Sequence, residues 1–305
     1  IRDRLAITGY PPEDLLLRES FIGKNFAVLE EIAAFSSHTS GVIGFVDRKN
    51  DPHNQDNNKR TIANAAAIVQ NGDVRGIYHK SFLPNYSVFD EARYFSKGTE
   101  PNTLFWYDDI AIGINICEDI WIEDGPAEEQ VKQGASLIIN INASPYDIHK
   151  SETRKEIVMR KALKLNVPII YLNMVGGQEE LVFDGGSFVV NDLGEIIYQA
   201  SSFKEEVFHL DIDLKTNKQN DKSPLIIRPK TIELKDVESK ASLSKNESIY
   251  SALKLGLKDY VRKNKYTKVL IGVSGGIDSA LTAAICVDAL GAENVIGVAM
   301  PSKYN

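Results

Sequence analysis

Cys117 ends an apolar run and is followed at once by two acids. Residues Ile112–Ile116 have the composition of a strand, and Glu118 and Asp119 come directly after the thiol. Strand ends are where α/β folds expose reactive groups, and a thiol there can attack an amide carbonyl once a base removes its proton. The competing interpretation is a buried structural cysteine, so the thiol alone does not decide the chemistry.

Lys80 stands at the end of another predicted strand, before Leu83-Pro84. An ordinary lysine at such a position would be a solvated surface charge. Lys80 followed by Leu83-Pro84, with the strand-ending Cys117 37 residues later, resembles the nitrilase/amidase superfamily. Members of that superfamily hydrolyse amides through a thioester with a Glu–Lys–Cys triad. The resemblance implies that Cys117 is the nucleophile and that the Lys80 ammonium stabilises the tetrahedral oxyanion.

A turn rich in glycine and serine lies between a predicted strand and a predicted helix near the end of the chain. Its residues are Gly272, Val273, Ser274, Gly275, Gly276, Ile277, Asp278 and Ser279. Paired glycines let the backbone approach an anion, and the helix N-terminus offers free N–H groups. Asp278 suits such a site if a divalent cation bridges it to phosphate oxygens. The lysine of a P-loop and the glycine spacing of a dinucleotide fold are both missing, and a plain strand–helix turn with a helix cap is the alternative.

This turn resembles the PP-loop (Ser-Gly-Gly-x-Asp-Ser) pyrophosphatase family, which cleaves ATP between the α- and β-phosphates to adenylate a carbonyl oxygen. The resemblance implies that residues 272–279 bind ATP and that Asp278 lies near Mg²⁺. It identifies ATP and Mg²⁺ as the required small molecules and implies no tightly bound organic cofactor.

Two further segments, Leu5–Leu16 and Leu83–Glu91, resemble the glutaminase domain of the glutamine-dependent NAD⁺ synthetase family. That family joins a nitrilase-like glutaminase to a PP-loop synthetase in this order, and ammonia released at the thiol travels through a tunnel to attack the adenylated carboxylate of deamido-NAD⁺. The resemblance implies glutamine, ATP and deamido-NAD⁺ as substrates and a homo-oligomeric assembly. Matched position by position, it implies that Glu91 is a supporting catalytic carboxylate near Lys80 and that glutamine is held by Tyr86, Ser144 and Lys150. Ordinary turn structure, and for Lys150 a surface cation, are the alternatives.

One position departs from the family pattern. The general-base glutamate of the triad is expected immediately before Leu5, where this sequence has Arg4. An arginine cannot accept a proton near neutral pH. Two explanations stay open: the first residues are not native, or this glutaminase has lost its base. The strand expected before Arg4 is also missing, and the synthetase part stops soon after its second strand, so truncation at both ends is expected.

Two other functions compete with a glutamine-hydrolysing NAD⁺ synthetase. A stand-alone nitrilase-type amidase would account for Cys117 and Lys80 but not for the Ser-Gly-Gly-Ile-Asp-Ser loop. A non-catalytic scaffold that binds nucleotide or partner subunits is supported by Arg4.

The elements that must position these residues indicate an α/β protein, a nitrilase-like α-β-β-α sandwich followed by the start of a Rossmann-like PP-loop α/β domain. We predict a glutaminase domain over residues 1–213, a linker over 214–245 and the synthetase part over 246–305. A hairpin through Asn71-Gly72 is the sharpest local signal. Predicted strands are Val42–Val46, Ala63–Gln70, Asp73–Lys80, Ala111–Ile116, Leu137–Ile141, Pro168–Leu172, Ser187–Val190, Glu195–Tyr198, Glu206–Ile212, Lys268–Val273 and Asn294–Ala299; predicted helices lie near Pro11–Leu17, Phe26–Phe35, Pro126–Gly134, Ser151–Asn166, from Glu247 onward and at Asp278–Leu290, and Arg48–Arg60 is a predicted loop.

The amino-acid composition limits the classes of protein to which the chain can belong. The chain has 305 residues, 43% of them hydrophobic, and a net charge of −7, which argues against a broad nucleic-acid-binding surface. No apolar run is long enough for a membrane helix. Its two cysteines cannot form a disulfide framework, which favours a reducing cytoplasm, and Cys286 has the surroundings of a packed core residue.

Overall fold

The computed structural model describes residues 4–49, 61–100, 103–212, 214 and 239–299. The strands of this part of the chain are β1 (Ser40–Lys49), β2 (Thr61–Gln70), β3 (Asp73–His79), β4 (Leu104–Tyr107), β5 (Ile110–Ile116), β6 (Leu137–Asn142), β7 (Ile169–Asn173), β8 (Val175–Gln178), β9 (Leu181–Asp184), β10 (Phe188–Val190), β11 (Ile196–Gln199), β12 (Val269–Val273) and β13 (Val295–Ala299). The α-helices are α1 (Glu19–Ala34), α2 (Glu91–Tyr94), α3 (Pro126–Lys132), α4 (Lys150–Leu165), α5 (Lys245–Lys263) and α6 (Ile277–Leu290), with short 3₁₀ helices at Glu13–Leu17, Cys117–Ile120 and Ala292–Asn294.

A three-stranded antiparallel sheet, in the order β1-β2-β3, carries the predicted hairpin. Asn71 and Gly72 connect β2 to β3 with φ of 54° and 81°, the left-handed values that a tight hairpin turn requires. Side chains of alternate residues in this sheet pack into two different hydrophobic cores. Phe45 and Ala67 pack with Leu29 of α1 on one face, and Ala66 faces the second sheet, as the two-residue period of a strand dictates.

The second sheet is mixed and six-stranded, in the order β11-β10-β7-β6-β5-β4. Its central strands β5, β6 and β7 run parallel, with Asn115 opposite Asn140 and Asn140 opposite Tyr171. Helices α3 and α4 cover its outer face, where Val158 and Ala162 of α4 pack against Ile138 of β6. Helix, sheet, sheet and helix therefore form four layers, which confirms the predicted α-β-β-α sandwich.

The layer between the two sheets positions the thiol and the lysine. An apolar cluster fills this layer, and Cys117 belongs to it together with Tyr78 of β3 and Ile116 of β5. Strand β3 ends just before Lys80, and β5 ends just before Cys117. Because these strands belong to facing sheets, their ends bring the two residues to one side of the sandwich.

The later part of the chain begins with α5, whose start is fixed by a capping box: the Ser244 hydroxyl accepts from the Glu247 N–H, and the Glu247 carboxylate accepts from the Ser244 N–H at 2.9 Å. Strands β12 and β13 pair in parallel across α6, as predicted for a βαβ unit. Helix α5 packs on the β8–β9 hairpin, where Gly177 and Gly256 come so close that a Cβ on Gly177 would lie 3.1 Å from the Gly256 backbone.

The structure corrects several predicted elements. Glu206–Ile212 forms no strand: Phe208 and its neighbours pack in irregular conformation against Tyr198 of β11, which satisfies their alternating apolar pattern without backbone pairing. Helix α1 begins seven residues before Phe26, and β1 extends through Lys49, although the sequence predicts a loop from Arg48 onward. Strand β4 and the hairpin β8–β9 were not predicted.

Other predictions fall outside the described residues. These are the loop over residues 50–60, most of the linker over 214–245, and the last residues, 300–305. Within the part of the chain that the structure describes, no helix combines the length and the apolar character needed to cross a membrane.

Candidate active site

Cys117 is the first residue of the 3₁₀ turn that follows β5, and its φ of 49° is left-handed. Such a conformation is unusual for a residue with a Cβ and is found preferentially at functional sites. The side chain is 4% exposed and belongs to an apolar cluster, yet it also interacts electrostatically with several titratable groups. Its negative charge, when the thiol is ionised, acts on the pKa values of Tyr10, Lys80, Tyr86, Lys150, Arg154 and Tyr171.

Lys80 follows β3 and is fully buried, and its backbone N–H still donates to Asn64. Its Nζ donates to Glu91 Oε2 at 2.6 Å. Burial lowers the pKa of the Lys80 ammonium, and the neighbouring Arg4 cation lowers it further, to about 7; a charged Cys117 opposes the shift. This lysine is therefore a buried amine that pairs with Glu91 and interacts electrostatically with the thiol.

Glu91 is the first residue of α2 and is itself 3% exposed. Its Oε1 accepts a hydrogen bond from the Tyr10 hydroxyl at 3.0 Å and forms an ion pair with Arg4. The Arg4 guanidinium is fully buried and lies 4.0 Å from the centre of the Tyr10 ring. The position at which the resemblance expects a general base thus lies inside this cluster, and it places a second cation beside the Lys80–Glu91 pair.

Asp119, which the sequence interpretation did not assign to the site, joins the two strand ends. Its fully buried carboxylate accepts from the Ile116 N–H at 3.0 Å on one side and from the Phe82 N–H at 2.9 Å on the other. Burial raises the pKa of Asp119, while the Lys80 charge and the donated hydrogen bonds oppose that rise. The signal for it was its place two residues after the thiol.

Two of the three predicted glutamine-binding residues meet at the rim of the thiol site. The Tyr86 hydroxyl donates to both Glu118 oxygens at 3.0 Å, and burial together with this hydrogen bond raises its pKa to about 12. Lys150 Nζ lies 5.5 Å from the centre of the Phe89 ring, which in turn contacts the Tyr86 ring edge to face. Burial and the nearby Arg154 lower the Lys150 pKa. An anion beside Tyr86 and a cation at Lys150 can together hold a zwitterionic ligand.

The third predicted glutamine-binding residue, Ser144, is 2% exposed. Hydrogen bonds from Arg154 fix its position. Arg154 Nε donates to the Ser144 hydroxyl at 3.1 Å, and its Nη2 donates to the Ser144 carbonyl at 2.9 Å. Nη1 pairs with both oxygens of Asp184, at 2.8 and 2.9 Å. The sequence interpretation missed this pair, although Arg154, Val158 and Ala162 recur every four residues and so mark the buried face of α4.

The glycine-rich turn links the end of β12 to the start of α6. Gly275 has a φ of +89°, and no atom lies within 4 Å of where its Cβ would be, so an anion can approach the backbone. The Ser279 hydroxyl lies 3.3 Å from the Ser274 hydroxyl and donates to the Gly276 carbonyl at 2.9 Å. The loop is largely solvent-exposed, with the Asp278 carboxylate in the first turn of the helix.

The donor set at this loop is compatible with Mg²⁺ bound through a nucleotide. Mg²⁺ in phosphate sites takes one or two carboxylates together with substrate oxygens, and Asp278 supplies one such carboxylate. Across the described ranges, no three His, Cys, Asp or Glu side chains form a cluster that could hold a metal on their own.

Two protein-family models match the parts of the chain that carry the thiol site and the glycine-rich turn. The carbon-nitrogen hydrolase model matches residues 5–220, which include every residue of the thiol site after Arg4. The chain belongs to the carbon-nitrogen hydrolase family. A second model, NAD synthase, matches residues 249–305 and so includes the glycine-rich turn.

The relatives of this carbon-nitrogen hydrolase combine the same two parts. Glutamine-dependent NAD(+) synthetase of Thermotoga maritima is 42% identical over 323 aligned positions, covering 98% of this chain and 54% of the relative. The enzyme of the same name from Aquifex aeolicus is 39% identical, covering 99% of this chain and 54% of the relative. The chain spans about half the length of the curated relatives it matches.

Solved structures show the same fold. The glutamine-dependent NAD⁺ synthetase of Acinetobacter baumannii, in complex with ADP, superimposes with a TM-score of 0.82 at 38% identity, over 99% of this chain and 53% of that one. An amidase of the nitrilase superfamily from Nesterenkonia superimposes with a TM-score of 0.56 at 19% identity, covering 66% of this chain and 72% of the other, and shows likeness of fold alone.

Proposed function

We propose that the carbon-nitrogen hydrolase part of this chain releases ammonia from glutamine, and that the part around the glycine-rich turn belongs to an ATP-dependent ligase that uses it to amidate deamido-NAD⁺ to NAD⁺. The observation that carries the first half is the buried Lys80–Glu91 pair, whose lysine interacts electrostatically with Cys117 on its left-handed turn. The similarity to enzymes named glutamine-dependent NAD(+) synthetase supports the second half.

In the proposed reaction, the Cys117 sulfur attacks the side-chain amide carbon of glutamine. The thiol proton passes to a base and then to the leaving nitrogen, so that ammonia departs and a γ-glutamyl thioester remains. Water then attacks the thioester, and glutamate leaves as the thiol regains its proton. Lys80 is suited to stabilise the tetrahedral oxyanion of both steps, because its buried ammonium acts in a region that excludes water.

Glutamine would be oriented by charge at both ends of its backbone. The Glu118 carboxylate next to Tyr86 suits the α-ammonium, and Lys150 suits the α-carboxylate. Ser144 would hold the amide end, since Arg154, whose charge interacts with that of the thiolate, fixes its hydroxyl. Substitution of each residue in turn tests its role.

Residues 272–279 are proposed to bind ATP, with Asp278 as a ligand of Mg²⁺. The exposed backbone of Gly275 and the N-terminus of α6 favour phosphate, and the Ser274 and Ser279 hydroxyls add donors. When bound, Mg²⁺ would neutralise phosphate charge. The two cysteines are free thiols, in accord with a cytoplasmic location, and we expect an assembly of identical subunits that light scattering would reveal.

The experiment that tests this function is NAD⁺ formation from deamido-NAD⁺ and ATP by the complete gene product that carries this sequence. In an Arg4→Glu background, which restores the expected general base, Cys117→Ser should abolish synthesis with glutamine as nitrogen donor and leave synthesis with added ammonia intact. Cys286→Ser is the matched control and should affect neither. Loss of both activities in Cys117→Ser, or of neither, would contradict the proposed division of labour.

A second candidate function, a non-catalytic nucleotide-binding scaffold, is favoured by one observation. Arg4 occupies the place of the general base and forms a buried ion pair with Glu91. If the scaffold is correct, glutamine will not be hydrolysed even when a carboxylate is restored at position 4.

A further inference from the structure

Asp119 contacts both strands that deliver the reactive residues. On the lysine side, its Oδ1 accepts from the Ser81 N–H at 3.2 Å and from the Phe82 N–H at 2.9 Å, the two residues after Lys80. On the thiol side, its Oδ2 accepts from the Ile116 N–H at 3.0 Å, one residue before Cys117. A single carboxylate therefore holds backbone groups adjacent to both.

The Tyr78 hydroxyl completes this arrangement. It donates to Asp119 Oδ2 at 2.9 Å from β3, two residues before Lys80. Each of the two Asp119 carboxylate oxygens thus accepts two hydrogen bonds. All four donors come from segments that flank Lys80 and Cys117. Asp119 and Tyr78 are completely shielded from solvent, so water cannot replace a lost bond.

The location of these bonds matters because β3 and β5 belong to different sheets. No backbone ladder connects the two strand ends, and apolar packing between sheets is non-directional. The Asp119 carboxylate accepts four directional hydrogen bonds and therefore constrains the relative position of the two strand ends. It also favours the tight turn in which Cys117 takes its left-handed conformation, because the Ile116 bond closes that turn.

We propose that Asp119 is a positioning residue that fixes the distance and orientation between Lys80 and Cys117 by holding the ends of β3 and β5 on one carboxylate. This inference rests on the proposed function, because it assigns Cys117 as the nucleophile. Asp119 does not touch the substrate in this scheme; it acts through the backbone on either side of the two reacting groups.

The test uses the whole chain and the glutamine-shaped electrophile 6-diazo-5-oxo-L-norleucine. In the labelling step the Cys117 sulfur bonds to the diazo-bearing carbon, N₂ leaves, and the thiol proton ends on that carbon. The rate of inactivation at saturation, kinact, reports the alignment of the thiol, and the half-saturating concentration, KI, reports binding at the rim. Intact-mass spectrometry follows the adduct without requiring turnover.

Asp119→Asn should lower kinact by about 10²-fold and leave KI unchanged, because a misplacement near 1 Å costs about that much and the binding residues are untouched. An amide keeps the shape of the carboxylate but directs two N–H groups toward donors. Tyr78→Phe, which removes one donor of the four, should lower kinact by about fivefold. It keeps the proposal testable if Asp119→Asn does not fold.

Glu128→Gln is the matched control. Glu128 is also a buried carboxylate with donors from a backbone N–H and a lysine, Gly125 and Lys161. It should lose comparable stability and keep kinact, since it holds neither strand end. Equal kinact for Asp119→Asn, Tyr78→Phe and the native chain would overturn the proposal while leaving the thiol's role intact. Absence of any Cys117 adduct in the native chain and in a folded Arg4→Glu variant would instead overturn the proposed function.

Discussion

Replacing Arg4 by glutamate exchanges a buried cation for the carboxylate that glutamine hydrolysis needs. Arg4 is fully buried, forms an ion pair with Glu91 and lowers the pKa of Lys80. In the native chain the formal charges of four buried groups at this site, Arg4, Lys80, Glu91 and Asp119, sum to zero. With glutamate at position 4 they sum to −2, which favours an ammonium at Lys80 and raises the proton affinity of the new carboxylate.

The expected increase in the rate of glutamine hydrolysis is large, because Arg4 cannot act as the general base and glutamate can. Loss of one triad member costs about 10⁴-fold in kcat in a well-studied hydrolase triad, so Arg4→Glu should raise the rate of glutamine hydrolysis by about 10³- to 10⁴-fold. The assay is glutamate release from glutamine by the isolated chain, measured with a coupled dehydrogenase.

Arg4→Gln separates charge from proton transfer. It removes the same cation and supplies no base, so it should raise the rate by less than about tenfold, the part due to Lys80 electrostatics. Equal rates for Arg4→Glu and Arg4→Gln, with both variants folded, would refute the assignment of position 4 as the base. Full activity of the native Arg4 chain would refute it as well.

Three further predictions follow from the same contacts. The pKa of Lys80 is lowered to about 7 from an ordinary value of 10.5; the unfolded chain therefore binds more protons between these values, and the free energy of unfolding of the native chain relative to Lys80→Met should rise from about pH 7 to about pH 9. A flat or falling difference in urea titrations would contradict this. Arg154→Met leaves the Asp184 carboxylate buried without its partner and should lower the free energy of unfolding by about 3–5 kcal/mol, with a smaller loss when Asp184→Leu is added; a loss below about 1 kcal/mol in chemical denaturation would show that the pair is unimportant. Asp278→Asn should weaken Mg²⁺-dependent binding of pyrophosphate, measured by calorimetry, without changing the rate of Cys117 labelling, and unchanged binding would remove Asp278 from the proposed metal site.

Local sequence signals predicted the elements whose geometry is set by neighbours in the chain. The Asn71-Gly72 turn and the βαβ unit around the glycine-rich turn depend on left-handed residues and on one strand–helix–strand crossover. Their boundaries in the structure differ from the predicted ones by at most two residues. Where an alternating pattern could be satisfied by side-chain packing alone, as at Glu206–Ile212, the prediction of a strand was wrong.

The thiol, the lysine and Glu91 were singled out from motifs and a family resemblance, and the structure pairs Lys80 with Glu91. Contacts made over long sequence separation could not be found in this way. Asp119 bonds to residues almost 40 positions earlier, and Asp184 reaches Arg154 across 30 residues. Each looks like an ordinary surface acid in the sequence. Asp119 becomes a buried acceptor because two sheets face each other, and Asp184 because β9 ends beside Arg154 of α4. Local patterns encode neither arrangement.

The most direct measurement is acid-quenched intact-mass spectrometry of the chain after incubation with glutamine, performed for the native chain and for Arg4→Glu. The account predicts a γ-glutamyl adduct on Cys117 that hydroxylamine removes, and its absence from Cys117→Ser. An adduct located elsewhere, or none on Cys117 even in the folded Arg4→Glu variant, would contradict it.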